Sequence, residues 1–547
     1  MANTYDKASL VLIPSGTKEG VVFSQKPTNG DGDFTFSRST AATRVNADGL
    51  IEKETQNLLL QSNSFDTTWT INGTGTLTSG QTGYDGTNDA WLLTKSAAAT
   101  YLSQNTTLSA LNTFSVYAKA GTNTYLALYI RNANQGKFFN LANGTIQSDY
   151  VGTPIDAKIE DVGNGWYRCS VTTDDASNNC RIYPADDDGN VSGTSGNIYI
   201  QDAQLEEGLV ARDYIETTTA AVEGGITDNV PRLDYTDSSC PALKLEPQRT
   251  NAVLYSEYIA GYSSENTTIT QNYGISPEGV QNSARVQFSV SGYIAFGVTT
   301  YTNEVTSMYV KGTAGEKIRF GKGANVAQGA LYTLTGDWQR IVYDVGSPSN
   351  TFIISNFNGG TANDFEVYGL QHEEGSYATS YIPTYGASVT FAKDVASKTG
   401  VSDLIGQTEG TLFAEVDVRE FEGGVKTPLQ VLQDADNRFG LAIFKNAGLL
   451  RLQGYCRLGG IFTVVINYDA PLVGGVYKMA LGYAANDWVL YVNGIQRGTN
   501  TTSSVPTTSI CDVGNESGTY ILNDRLAQTL LFKTRLTNAE LATLTTL

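Results

Sequence analysis

The sequence predicts an all-β chain of tandem β-sandwich jelly rolls followed by a further sandwich, on three observations. First, one phrase occurs twice: Gln204-Leu205-Glu206-Glu207-Gly208 with Ala211 and Tyr214-Ile215-Glu216-Thr217, and Gln371-His372-Glu373-Glu374-Gly375 with Ala378 and Tyr381-Ile382-Pro383-Thr384. Self-similarity at a constant offset is the mark of a duplicated module. Second, only 17% of residues are charged, while Gly (56 residues) and Tyr (31 residues) are abundant, the usage of strands joined by many turns. Third, the apolar residues fall in short alternating runs between turn signals, the period of a strand.

Residues 1–56 read as an N-terminal anchoring and assembly segment. Ser9 to Ile13 and Val21-Val22-Phe23 are short apolar strands, and Asn29-Gly30-Asp31-Gly32-Asp33 is a turn signal. Phe34 and Phe36 then alternate with Thr35 and Ser37 as in a half-buried strand. So few isolated strands cannot enclose a core, so the segment is expected to pack on a neighbouring domain, another subunit or a partner protein.

Residues 57–222 form the first jelly roll and residues 251–388 its repeat. Both open alike, on Asn57 to Leu60 then Ser62, and on Asn251 to Leu254 then Ser256. Ser115 to Lys119 is echoed by Ser307 to Lys311, and Trp166-Tyr167-Arg168 by Trp338-Gln339-Arg340, with the difference in length assigned to loops. Trp166 and Trp338 recur at matched positions and read as packing residues. Residues 223–250, with Pro231, Pro241 and Pro247, read as an extended, semi-rigid linker.

Residues 389–547 form a third domain, again a sandwich. Thr411 to Val418 is a strand, Val489 to Gln496 a hairpin turning on Asn493-Gly494, and Thr537 with Glu540 a capping box ahead of a short helix carrying Leu541 and Leu544.

The net charge of -19 and pI near 4.5 exclude a nucleic-acid partner, which would require clustered Lys and Arg. The single histidine, His372, stands where the other copy has Leu205, so it reads as a strand residue, and histidine-dependent catalysis is not expected. Five scattered cysteines form neither a disulfide framework nor a metal motif; Cys169 and Cys180 are placed on neighbouring strands, with free thiols the default. No cofactor and no metal are expected, and Asp186-Asp187-Asp188-Gly189-Asn190 reads as an exposed acidic turn. No apolar run approaches the ~20 residues of a membrane span, so no membrane insertion is expected, and the chain reads as soluble and folded in a reducing cytoplasm.

Several phrases resemble those of bacteriophage virion fibre proteins, of tail or head. Phe34 to Thr40 with Thr43-Arg44-Val45-Asn46 and Gly49 to Glu52 resembles their opening block; Val230 to Tyr235 with Cys240-Pro241 and Glu246 to Asn251 resembles the block that usually follows it directly. Here the two blocks are separated by the first jelly roll. The closing phrases resemble those of carbohydrate-binding-module-like jelly rolls. Trp488 to Gly494 and Leu530 to Leu544 are similar to concanavalin A-like (laminin-G-like) sandwiches. The resemblance implies a non-enzymatic virion protein, assembled in the host cytoplasm, trimeric, joined to other virion proteins through its N-terminal segment and binding host-surface glycans.

Glycan stacking needs aromatic faces, and Trp69, Tyr84, Trp91, Tyr262, Tyr273, Tyr455 and Trp488 are the candidates. Two other readings stand beside adhesion. One is a purely structural decoration or adaptor protein of head or tail. The other is a depolymerase: Glu415, Asp417 and Glu420 spell ExDxxE, which resembles the catalytic strand of laminarinase-type hydrolases, with Glu415 as nucleophile and Glu420 as acid/base. Alternation of Ala414, Val416 and Val418 with charged residues is also what any half-solvated strand displays.

Overall fold

The computed structural model describes all residues except 1, 107–109, 132, 175–178, 237, 323–328, 345–348, 420, 422, 423, 517, 519 and 520. The protein is all-β, built of antiparallel sandwiches, and among the described residues the one helix of more than a turn is Asn538–Leu544, capped by the Thr537–Glu540 capping box.

The first sandwich has two six-stranded sheets. One runs Asp156–Gly163, Trp166–Thr173, Asn112–Ala120, Gly196–Glu207, Ala90–Lys95, Gly75–Gln81; the other runs Thr145–Val151, Gln135–Asn140, Tyr125–Ile130, Asn179–Ala185, Tyr101–Asn105, Thr70–Asn72. The second sandwich repeats this order with two strands fused across the layers. Ala284–Gly297 pairs with Asp364–Glu374 through residues 284–287 and with Thr351–Ser355 through residues 293–297, serving where the first copy uses Ala90–Lys95 and Tyr101–Asn105 separately. The difference in length lies in two edge strands, one on each sheet, rather than in loops alone: Thr145–Val151 and Asp156–Gly163 have no counterpart between Ala330–Thr333 and Gln339–Asp344. Cys169 and Cys180 face one core from opposite sheets and are not joined by a disulfide, rather than lying on neighbouring strands as expected.

The repeated phrases are the polar closure of each sandwich. Asn57 Nδ2 donates to the carbonyls of Ala203 (3.1 Å) and Ile215 (2.8 Å), and its Oδ1 accepts from the amides of Leu59 and Leu205 (3.2 Å each). Asn251 does the same with Leu370 (3.2 Å), Ile382 (2.7 Å), Val253 (3.3 Å) and His372 (3.0 Å). Glu206 accepts from the Arg212 amide and Glu373 from the Thr379 amide, at 3.0 Å in both. Burial pushes both carboxyls up in pKa, and these bonds partly offset it. A buried backbone group left without a partner costs about 1–3 kcal/mol, which explains why the phrase is shared while loops differ.

The third sandwich is composite. Its nine-stranded sheet runs Thr17–Lys18, Val21–Val22, Phe34–Ser37, Val395–Thr399, Ile510–Val513, Lys426–Leu432, Arg438–Asn446, Leu449–Leu458, Ile461–Pro471. The facing sheet runs Arg232–Asp234, Ala242–Leu245, Asp524–Phe532, Glu409–Val418, Gly475–Ala484, Asp487–Val492, Ile495–Asn500, and Leu10–Leu12 adds to Asp524–Phe532. Phe34 and Phe36 point inward and Thr35 and Ser37 outward, so both rings enter the same core as Leu412, Leu481 and Trp488. Each such ring buried is worth about 1.5–3 kcal/mol.

The strands from Leu10–Leu12 to Phe34–Ser37 are therefore part of this sandwich rather than of a separate segment, because they carry the apolar edges that complete it, whereas Ile51 packs with Tyr368 and Tyr381 of the second sandwich. Residues 223–250 are likewise not a connector: Arg232–Asp234 and Ala242–Leu245 form a hairpin whose Leu243 and Leu245 are core residues. Both jelly rolls are insertions into this frame. Each leaves and returns through a two-stranded neck, Thr55–Asn57 with Val222–Gly224 for the first and Arg249–Asn251 with Val389–Phe391 for the second.

Two buried ionic clusters fasten the parts. In one, Arg38 pairs with Asp394 (3.0 Å), Arg232 pairs with Glu246 (2.5 Å) and with Asp394, and the Ser380 amide donates to Glu246 (3.0 Å). The two phrases separated in sequence by the first jelly roll thus meet here. In the other, Lys53 lies 2.6 Å from both Glu257 and Glu278, and Arg212 of the first sandwich pairs with Glu278 of the second.

Candidate functional site: a tyrosine and arginine groove on the first sandwich

The outer face of one sheet of the first sandwich is unusually aromatic. Along Tyr125–Ile130 the residues Leu126, Leu128 and Ile130 enter the core, while Ala127 and Tyr129 join Phe138, Tyr183 and Tyr150 in a second cluster on the opposite face. Tyr150 is the hub, its ring 5.3 Å from Tyr129, 5.4 Å from Phe138 and 5.3 Å from Tyr183. Along Asn179–Ala185, Cys180 and Ile182 point inward, so Arg181 and Tyr183 point outward.

Beside this cluster lies a polar groove of about 420 Å³, lined by Tyr101, Arg131, Asn179 and Arg181 together with Asn72, Ser103 and Asn105. The Arg181 guanidinium sits 4.4 Å from the centre of the Tyr101 ring and 5.3 Å from that of Tyr129. Its Nε donates to Asn179 Oδ1 (2.5 Å) and its Nη1 to the Tyr183 hydroxyl (3.1 Å). Asn179 Nδ2 donates in turn to Asn105 Oδ1 (2.8 Å), and Asn72 Nδ2 to Ser103 Oγ (2.9 Å). The rings and amides are thus held in fixed orientations, the preorganisation that hydroxyl recognition requires.

The second sandwich keeps the closure but not the groove. Counting from the core pairs Leu102↔Ile182 and Ile294↔Ile354, Tyr101 corresponds to Tyr293, Arg181 to Ile353 and Tyr183 to Ser355. From the pairs Leu128↔Ile182 and Phe320↔Ile354, Tyr129 corresponds to Gly321. The scaffold is common to both copies, and the face is particular to the first.

Most of the aromatic candidates expected from the sequence are core residues, which corrects that expectation. Trp69 and Trp91 are buried beside Phe65, with indole N–H groups donating to the carbonyls of Gln61 (3.1 Å) and Asn63 (2.8 Å). Trp488 is wholly buried and donates to the Ser503 carbonyl (3.2 Å). Tyr262 packs edge-on against Phe296 and donates to the Tyr255 carbonyl (2.8 Å). Tyr84 stacks on Tyr117 at 3.8 Å and donates to Asp202 Oδ2 (3.0 Å). An indole enclosed in this way offers no free face to a sugar, and the half-buried Tyr84 and Tyr262 are already packed on Tyr117 and Phe296.

Tyr455 is also buried, donating to Gln430 Oε1 (2.8 Å), though it backs a groove of about 330 Å³ beside the exposed Phe462. Tyr273 alone of the seven is well exposed, at 44%, under the Arg285 guanidinium (4.8 Å). Sequence reasoning missed Tyr101, Arg181 and Tyr183, although the inward alternation of Cys180 and Ile182 was the signal that would have turned the last two outward.

The remaining chemical candidates are committed elsewhere. His372 is buried, bonded through Nδ1 to Thr306 Oγ1 and through Nε2 to the Thr299 carbonyl (2.9 Å each), and burial lowers its pKa. Glu415 accepts from Gln528 Nε2 (2.5 Å), Asp417 pairs with Arg419 (2.8 Å) and Arg525, and Glu420 lies outside the described residues. Asp186 pairs with Lys95 (2.5 Å) and Asp188 accepts from the Ser148 amide (3.0 Å). Among the described residues no group of three or more His, Cys, Asp or Glu could hold a metal, and no helix is long and apolar enough to cross a membrane. A second cavity, about 250 Å³, lies where the necks meet; it is lined by Lys53 and Arg212, already ion-paired, and by Glu54, whose carboxyl is pushed up to about 7 by burial and by the charges of Glu223 and Glu207.

No protein-family model matches the sequence, and no curated protein matches it. Solved structures do. The chain is similar to the carbohydrate-binding module of a Ruminococcus gnavus sialidase solved with α2,3-sialyllactose, at 18% identity over 26% of this chain and 84% of that one, with a TM-score of 0.22. It is similar to domain 4 of a Geobacillus stearothermophilus arabinanase in complex with arabinotriose, at 12% identity over 31% and 82%, TM-score 0.23. It is also similar to domains LG4-5 of the mouse laminin α1 chain, at 8% identity over 52% and 88%, TM-score 0.17. These distant likenesses, to carbohydrate-binding-module-like and laminin-G-like sandwiches, concern fold alone.

Proposed function

We propose that this chain is a non-enzymatic phage virion protein, a fibre or appendage component that binds host-surface glycans through the Tyr101–Arg181 groove and self-associates, as a trimer. The observation that carries the adhesive reading is the groove's restriction to one copy of a duplicated scaffold. Duplication supplied two equivalent faces, and among the described residues the second has Ile353, Ser355 and Gly321 where the first has Arg181, Tyr183 and Tyr129 beside a groove of ligand size. The virion assignment rests on the resemblance of the opening and linker phrases to those of fibre proteins; in this chain Arg38 and Arg232 of those phrases converge on Asp394.

Retention of the purified protein on host cells or host polysaccharide tests the adhesive reading. Tyr101→Ala and Asn179→Ala are each expected to weaken retention about tenfold, equivalent to about 1.4 kcal/mol, with the melting temperature kept. Absence of retention at any pH would favour a decoration or adaptor protein instead. Incubation with the same polysaccharide is expected to release no reducing ends; release abolished by Glu415→Gln would establish a depolymerase. Labelled antibody on intact virions tests the location, and sedimentation the trimer.

A further inference from the structure

We infer that the groove of the first sandwich selects an acidic saccharide, one carrying a carboxylate, sulfate or phosphate, with Arg181 and Arg131 as the selecting residues. This rests on the reading of the groove as a glycan site and narrows it to one ligand class.

The whole chain has 55 acidic against 36 basic side chains, so its surface repels anions on average. The groove reverses that balance: among the described residues, two arginines line it and no carboxylate does. Among the described residues neither guanidinium is ion-paired. Arg181 is nonetheless fixed, by the Tyr101 ring beneath it and by bonds from Nε and Nη1 to Asn179 and Tyr183, which leave its Nη2 without a partner among the described residues. A planar guanidinium held on a ring with one edge open is suited to a charged oxygen pair, and bonds to ionised acceptors are roughly twice as strong as neutral ones.

A neutral sugar would be served by the amides alone. The duplicate supplies an internal control for the structural alternative: Ile353 occupies the position of Arg181, so the fold does not require a cation there. Arginine at this place is a property of the groove, not of the sandwich.

The test is a glycan array bearing uronic, nonulosonic, sulfated and phosphorylated saccharides beside their neutral counterparts, probed with the full chain. Acidic members are expected to be retained at least about tenfold more strongly, with the preference shrinking as salt is raised from about 0.05 to 0.5 M. Arg181→Ile, which copies the second sandwich, is expected to abolish the preference with the melting temperature kept, and Arg181→Lys to restore part of it. Equal retention of neutral and acidic members, or an Arg181→Ile protein with unchanged preference, overturns the inference and leaves the glycan reading standing. Retention of no member at all overturns both.

Discussion

Arg38 and Asp394, 356 residues apart in the chain, share a buried ion pair of 3.0 Å. Asp394 also holds Arg232, so one carboxylate collects cations from two segments that the first jelly roll separates. Removing one partner of a buried pair strands the other charge, at a cost of about 3–5 kcal/mol. Arg38→Met is expected to fall near the lower bound, because Arg232 still covers one oxygen. A urea unfolding midpoint equal to wild type would count against the cluster as a fastening.

Asn57 and Asn251 make the same four hydrogen bonds in their own sandwiches. Either one changed to Ala leaves two amides and two carbonyls to find new partners, an expected loss of about 2–4 kcal/mol. Hydrogen exchange should accelerate in the sandwich that carries the substitution and not in the other. Uniform acceleration would mean that the two do not close independently.

Asp202 gives a pH dependence of definite sign. Burial pushes its carboxyl up to about 7, against which hydrogen bonds from Tyr84 and Tyr214 act. A carboxyl with a folded pKa above its unfolded value of about 3.9 binds more protons when folded, so its contribution is complete below that value and is lost as pH rises through 7. Asp202→Asn keeps the acceptor oxygen and removes the charge. It should stabilise the protein at pH 8 by about 1–3 kcal/mol and change little at pH 4, as read by thermal melts. A variant with the wild-type slope between those pH values would exclude Asp202 as its source.

The necks make the first sandwich removable. Val222–Gly224 lies beside Thr55–Asn57, so a short Gly-Ser turn replacing residues 59–220 spans the gap without stretching. The shortened chain is expected to fold with the second sandwich and frame intact. Its melting temperature should drop by several degrees, because Glu278 loses Arg212. Loss of all sheet signal in circular dichroism would show that the frame depends on the insertion.

What could be read in advance was local. The alternation of Phe34 and Phe36, the Asn493-Gly494 turn, with φ of 49° and 78°, and the Thr537–Glu540 capping box depend on neighbours in sequence, and each forms as expected. The membership of residues 10–37 and 232–245 in the last sandwich depends on pairings such as Leu243↔Leu526, which no local pattern encodes. The glycan candidates failed for a related reason. An indole on a strand points inward or outward according to register, and Trp91 sits beside Leu93, which enters the same core, so type alone could not separate an enclosed ring from a presented one.

The pairing of Leu10 with Leu531 bears on how the protein is made. A ribosome delivers Leu10–Leu12 long before their partner Asp524–Phe532, whereas each jelly roll is complete once its own returning strand has emerged. The two modules can therefore settle early, while the frame waits for Asp524–Phe532. A polypeptide released before that strand would carry Leu10–Leu12 and Ala242–Leu245 without the partner that shelters them, exposed to degradation.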